Sequence, residues 1–123
     1  MADKTILIVE DMEANIKLYS IILEPLDVNI LSTDDGQEAF ELIKNQTIDL
    51  VILDIQIPGK SGMEIIKDIR EIKGPDEVNF LAVTGYSMPK DRDKILKAGC
   101  NYYMSKPIDT DKFLTQVKEI LGI

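Results

Sequence analysis

Histidine is absent from this chain. That removes imidazole acid–base chemistry and histidine-ligated metal centres. Only one cysteine is present, Cys100, so no internal disulfide can form, which fits a reducing compartment. Basic residues are scarce: 14 Lys and Arg stand against 22 Asp and Glu, a net charge of -8. With a pI near 4.5, this argues against binding to a phosphate backbone by the domain as a whole. Long apolar runs, a signal-like N-terminus, repeats and low-complexity stretches are all lacking, so the expected location is cytoplasmic. What is left is ordinary. A chain of 123 residues, 45% hydrophobic and 29% charged, makes one globular domain with a real core.

The stretch Val51-Ile52-Leu53-Asp54-Ile55-Gln56-Ile57-Pro58-Gly59 organises the rest. An apolar run of this kind is a strand buried on both faces, and Pro and Gly stop it just after one carboxylate. Similar runs at Lys4–Val9, Val28–Leu31, Phe80–Val83 and Asn101–Met104 make five strands. Between them lie helical patterns: Met12, Ile16, Tyr19 and Leu23, closed by Pro25; Ala39, Leu42 and Ile43 after the turn Asp34-Asp35-Gly36; then Ile65, Ile69 and Ile72 from Gly62. A charged segment from Met88 to Ala98 has only a thin apolar face at Ile95 and Leu96. Phe113, Val117, Ile120 and Leu121 mark a last helix, capped by Asp109 or Thr110. Five strand–helix alternations predict an α/β fold, a parallel sheet covered by helices on both faces.

In such a sheet all strand C-termini share one edge, where ligands bind. Glu10 and Asp11 end the first strand, Asp54 the third and Thr84 the fourth, and Lys106 follows the fifth. Three acids, a hydroxyl and an ammonium therefore meet. Clustered carboxylates require a proton or a cation between them. Oxygen-only donors with open positions favour a hard cation, Mg²⁺ first. A carboxylate can also act as a nucleophile towards phosphorus, with a metal and a lysine spreading the charge. Aspartyl phosphorylation at Asp54 is the hypothesis these residues support.

Singly, each residue has a plainer role. Glu10 and Asp11 suit a helix start, Thr84 an N-cap, Lys106 a solvated loop and Tyr103 a half-buried strand. Asp34, Asp35 and the run from Lys90 to Lys94 read as solvated faces, and Cys100 as a small buried residue. The convergence of four strand ends is what favours a site.

Val9-Glu10-Asp11, Leu53 to Gly59 with Gly62, Val83-Thr84-Gly85 and Tyr103-Met104-Ser105-Lys106-Pro107 together resemble a response-regulator receiver domain over essentially the whole chain. The resemblance implies a doubly wound (βα)5 fold, flavodoxin- or CheY-like, with strand order 2-1-3-4-5. It implies that Asp54 takes phosphate from a phosphohistidine on a sensor histidine kinase or phosphotransfer protein. Asp11, Asp54 and the Gln56 backbone carbonyl would bind Mg²⁺ (or Mn²⁺ or Ca²⁺ in its place), with Glu10 acting mostly through water. Thr84 and Lys106 would contact the phosphoryl group, Thr84 and Tyr103 would form the switch, and Lys106-Pro107 would be cis. Asn15, Gln56 and the ending Cys100 to Ile108 look like DivK-type single-domain regulators, and receivers of hybrid kinases look similar. Gly85 stands where the family usually has Ala. Tyr86 beside it would slow phosphate loss by restricting water.

The expected domain is residues 1–123, with no output domain. The alternative is a receiver domain excised from a hybrid histidine kinase or larger regulator, whose output domain is then missing; Met1 and the compact ending favour a stand-alone regulator. Output would then be contact with a protein target through the face formed by residues 88–121, without nucleic acid or membrane. The chain would be no enzyme beyond its own phosphorylation and dephosphorylation. A haloacid-dehalogenase-like phosphatase is a second reading, weakened by Gln56 where that family needs a second Asp. A flavodoxin-like or scaffolding domain is a third, weakened by Glu10-Asp11 where a flavin phosphate would need a Thr/Ser/Gly-rich loop.

Overall fold

A computed structural model describes residues 3–85 and 89–123. The elements in order are β1 (Thr5–Val9), α1 (Glu13–Leu23), β2 (Asn29–Thr33), α2 (Gly36–Asn45), β3 (Leu50–Leu53), α3 (Gly62–Arg70), β4 (Asn79–Thr84), α4 (Pro89–Lys97), β5 (Tyr102–Ser105) and α5 (Thr110–Leu121). All five strands are parallel, in the order 2-1-3-4-5. The doubly wound fold expected from the sequence is the one observed.

Two-residue periodicity explains the layers. Leu7, Val9, Val51, Leu53, Phe80 and Ala82 point to one face and pack with Ala39, Ile43, Ile65, Ile69 and Ile95 of α2, α3 and α4. Ile6, Ile8, Leu50, Ile52, Leu81 and Val83 point to the other and meet Tyr19, Leu23, Phe113, Val117 and Leu121 of α1 and α5. Every residue of β3 is buried, as a central strand covered on both sides must be.

Four local expectations are corrected. Pro25 does not simply close α1; it sits inside a 3-10 turn, Glu24–Leu26, that continues the helix before Asp27 turns left-handed. Proline tolerates that first-turn position because its missing N–H has no partner to lose there. Ile72 does not lie on the buried face of α3: the helix ends at Arg70, and Ile72 is 51% exposed. β5 starts one residue later than expected, because Asn101 works through its side chain. Its Oδ1 accepts from the Phe80 N–H at 2.8 Å and from Arg70 Nη2 at 2.7 Å. Asp35 is not merely solvated: its carboxylate caps α2, accepting from the Glu38 N–H at 3.2 Å. Asp109, the first of the two candidates, caps α5. Met88 and Tyr86, with their expected roles, lie outside the described residues.

Candidate functional site

β1 and β3 are neighbours, with Val9 level with Leu53, so the residues that follow them, Glu10 and Asp54, come side by side. The Asp54 N–H continues the ladder to the Val9 carbonyl at 3.0 Å, and the Glu10 N–H bonds the Thr33 carbonyl at 3.1 Å. Both acids are buried, while Asp11, one residue further on, faces solvent. Carboxylate oxygens of Glu10, Asp11 and Asp54 all lie within 4.8 Å of one another.

Lys106 arrives from the end of β5, where its N–H bonds the Thr84 carbonyl at 2.9 Å. Its ammonium donates to Asp54 Oδ2 at 2.9 Å and to Glu10 Oε2 at 3.1 Å. The other oxygens are also engaged: Asp54 Oδ1 accepts from the Gln56 N–H at 3.0 Å and Glu10 Oε1 from the Met12 N–H at 3.3 Å. Burial alone would lower the Lys106 pKa, but its hydrogen bonds to Asp54 and Glu10 outweigh that, and the net shift is upward. The lysine is held cationic.

Three carboxylates against one ammonium leave two negative charges, the charge of one divalent ion. The donors are all oxygen, as hard cations prefer. The acidic cluster therefore fits Mg²⁺, and the exposed Asp11 side leaves it an entry path.

The structure brings Glu10, Asp11, Asp54 and Lys106 into one group, as the topology predicted. The plainer reading of Lys106 as a solvated loop charge is thereby set aside. Thr84 is fully buried at the end of β4 and lies well before α4 begins at Pro89, so it is not that helix's N-cap. Tyr103 is not in the carboxylate group. It sits level with Ala82 and packs into the core beneath α2, α3 and α4, its hydroxyl buried without a hydrogen-bond partner among the described residues. Lys106-Pro107 is cis.

One neighbour was missed by sequence reasoning. Tyr19 was legible only as a helix-face residue, yet its ring stacks on Phe113 at 5.2 Å and senses Lys106, Glu10 and Asp54. Burial chiefly pushes its phenol up to about 12. A cavity of about 390 Å³ lies on this side of the lysine, lined by Asn15, Leu18, Tyr19, Lys106, Pro107 and Ile108.

Residues 6–118 match the family model of the response regulator receiver domain. The chain belongs to that family. The receiver is 35% identical to the polar-differentiation response regulator DivK of Brucella ovis over 119 residues, 97% of each chain. Among solved structures it resembles the receiver domain of a sensor histidine kinase from Pseudomonas aeruginosa, at 26% identity and TM-score 0.87, covering 99% of this chain and 100% of that one. That structure has a magnesium ion coordinated in its active-site cleft. A CheY-like receiver from Methanospirillum hungatei is similar at 28% identity and TM-score 0.87, covering 97% and 94% of the two chains. The receiver is thus a DivK-like response regulator domain of two-component signalling, a class of signalling proteins. The phosphatase and flavodoxin readings give way to this membership. Among the described residues no helix is long and apolar enough to cross a membrane.

Proposed function

We propose that the receiver accepts a phosphoryl group at Asp54 from a phosphohistidine on a kinase or phosphotransfer protein, and that this switches a protein-binding surface. The observation that carries the reading is the Asp54 carboxylate, buried, aligned by the Gln56 N–H and paired with Lys106 beside two further acids. An Asp54 oxygen attacks phosphorus, the P–N bond to the donor imidazole breaks and an acyl phosphate forms. Lys106, held cationic, follows the transferred charge from the carboxylate to the phosphoryl oxygens. Asp11, Asp54 and the Gln56 carbonyl would hold Mg²⁺, with Glu10 behind them. When bound, the cation supplies neutralisation of the carboxylates and phosphoryl oxygens together. Mn²⁺ and Ca²⁺ would substitute.

Phosphorylation adds negative charge and strong acceptor oxygens at the edge of the sheet. Thr84 would turn its hydroxyl to them. Tyr103, whose buried hydroxyl lacks a partner among the described residues, would report that movement to the α4–β5–α5 side. The receiver's target would bind there, on the face reaching to Leu121, and the output is protein contact. Its location would be cytoplasmic.

Intact mass after incubation with acetyl phosphate and Mg²⁺ tests this reading. One phosphate adduct is expected, absent in Asp54→Asn and absent with excess chelator. No adduct with Mg²⁺, Mn²⁺ or Ca²⁺, or an adduct that survives Asp54→Asn, overturns it.

A further inference from the structure

The loop from Asp54 to Ser61 carries Gln56, and it is held at both ends. On the inner side the Gly62 N–H donates to the Ile55 carbonyl at 3.2 Å. On the outer side the start of α2 presses against it. The Gly36 N–H donates to the Pro58 carbonyl at 3.1 Å, two residues from Gln56. Gly36 has no space for a side chain: a Cβ would fall inside the Lys60 carbonyl oxygen and within 2.8 Å of that residue's carbonyl carbon and nitrogen. Across the same contact Gly59 has φ +79°, and a Cβ there would lie 2.5 Å from Asp35 Oδ1. Asp35 is itself fixed, since its other oxygen caps α2. Lys60 completes the contact, its ammonium 4.9 Å from the Phe40 ring centroid of α2 and paired with Asp68 of α3.

We propose that the start of α2 is a brace that sets the Gln56 carbonyl, making Gly36 a positioning residue for the divalent cation it never touches. The inference rests on the metal reading above. A new methyl group at Gly36 would push on the backbone at Pro58 and Lys60, in the same short loop that carries Gln56. Mg²⁺ demands near-ideal octahedral geometry, so a small displacement lowers affinity. Groups that orient metal ligands from outside the coordination sphere typically change affinity by about 10–100-fold.

The test is Mg²⁺ titration by calorimetry, alongside the rate of acetyl phosphate labelling at saturating Mg²⁺. Gly36→Ala should weaken Mg²⁺ binding roughly tenfold while the saturated rate stays within about twofold, the mark of positioning rather than general loosening. Gly74→Ala serves as the control, because its Cβ would meet nothing nearer than Glu77 Oε1 at 3.9 Å, and should leave both unchanged. If Gly36→Ala fails to fold, Gly59→Ala approaches the same contact from the other side and should weaken binding likewise. In the unaltered protein, Mg²⁺ should slow hydrogen exchange of the Gly36 amide, since coupling between loop and brace is reciprocal. Unchanged Mg²⁺ affinity in the folded variants, equal losses of affinity and saturated rate, or a Gly36 amide indifferent to Mg²⁺ would overturn the brace. No Mg²⁺ binding by the unaltered protein would overturn the metal reading itself, and the brace with it.

Discussion

On the α1 and α5 face of the sheet, Tyr19 stacks on Phe113, and Leu23, Val117 and Leu121 close the layer around them. On the opposite face Tyr103 carries a buried hydroxyl that finds no partner among the described residues. There α4 contributes Ile95 as its one buried side chain among the described residues, the rest being partly buried or exposed. The turn that follows it is pinned, because Arg70 reaches the Gly99 carbonyl at 2.9 Å and Asn101 at 2.7 Å. The edge that carries the carboxylate cluster lies between these faces. The α1 and α5 face is closely packed beside that edge, with Tyr19 and Lys106 lining one cavity, and on the other face the turn after α4 is tied down at the end away from the site. A switch needs both, since a signal must start from fixed geometry and move something weakly held.

Breaking the anchored face should cost most. Phe113→Ala removes a fully buried ring together with its stacking on Tyr19, and a loss of about 3–5 kcal/mol is expected in chemical denaturation. A loss under about 1 kcal/mol would deny that face its anchoring role.

The other face should show itself at alkaline pH. Burial chiefly pushes the Cys100 thiol from an ordinary 9.0 to about 11, its hydrogen bonds and Arg70 offsetting only part. The folded protein keeps this proton where the unfolded chain has lost it. Stability from this group is therefore full below pH 9.0 and declines as pH rises towards about 11, by about 2–3 kcal/mol. Denaturation curves of Cys100→Ala should lack that part of the decline. An identical decline in the variant would mean the thiol is not held neutral.

Tyr103→Phe sharpens the comparison by the smallest step. Removing a buried hydroxyl that has no partner among the described residues should stabilise the protein by about 1 kcal/mol, whereas a hydroxyl satisfied in solution would make the change destabilising. Thermal unfolding distinguishes the two signs.

Much of this was legible in the sequence, and unevenly. The buried strands read clearly because an apolar run covered on both faces has few alternatives, as at Leu50–Leu53. Lys106 was legible only through topology; alone it reads as a loop charge, and only the shared sheet edge brings it to Glu10 and Asp54. Pro25 misled because proline ends an α-helix yet suits the first turn of the 3-10 segment that follows. Ile72 misled because periodicity continues past the point where the backbone leaves the helix. Asn101 and Asp35 act through side-chain hydrogen bonds, which pattern does not register. The contact of Gly36 with Lys60 joins residues distant in sequence and has no local signature.

The most direct measurement is hydrogen exchange, residue by residue, with and without phosphorylation by acetyl phosphate and Mg²⁺. Changes should be concentrated between residues 89 and 105, in α4 and β5, with little change in the buried turns of α1 around Tyr19 and of α5 around Phe113. Equal changes on both faces, or changes confined to α1 and α5, would contradict it.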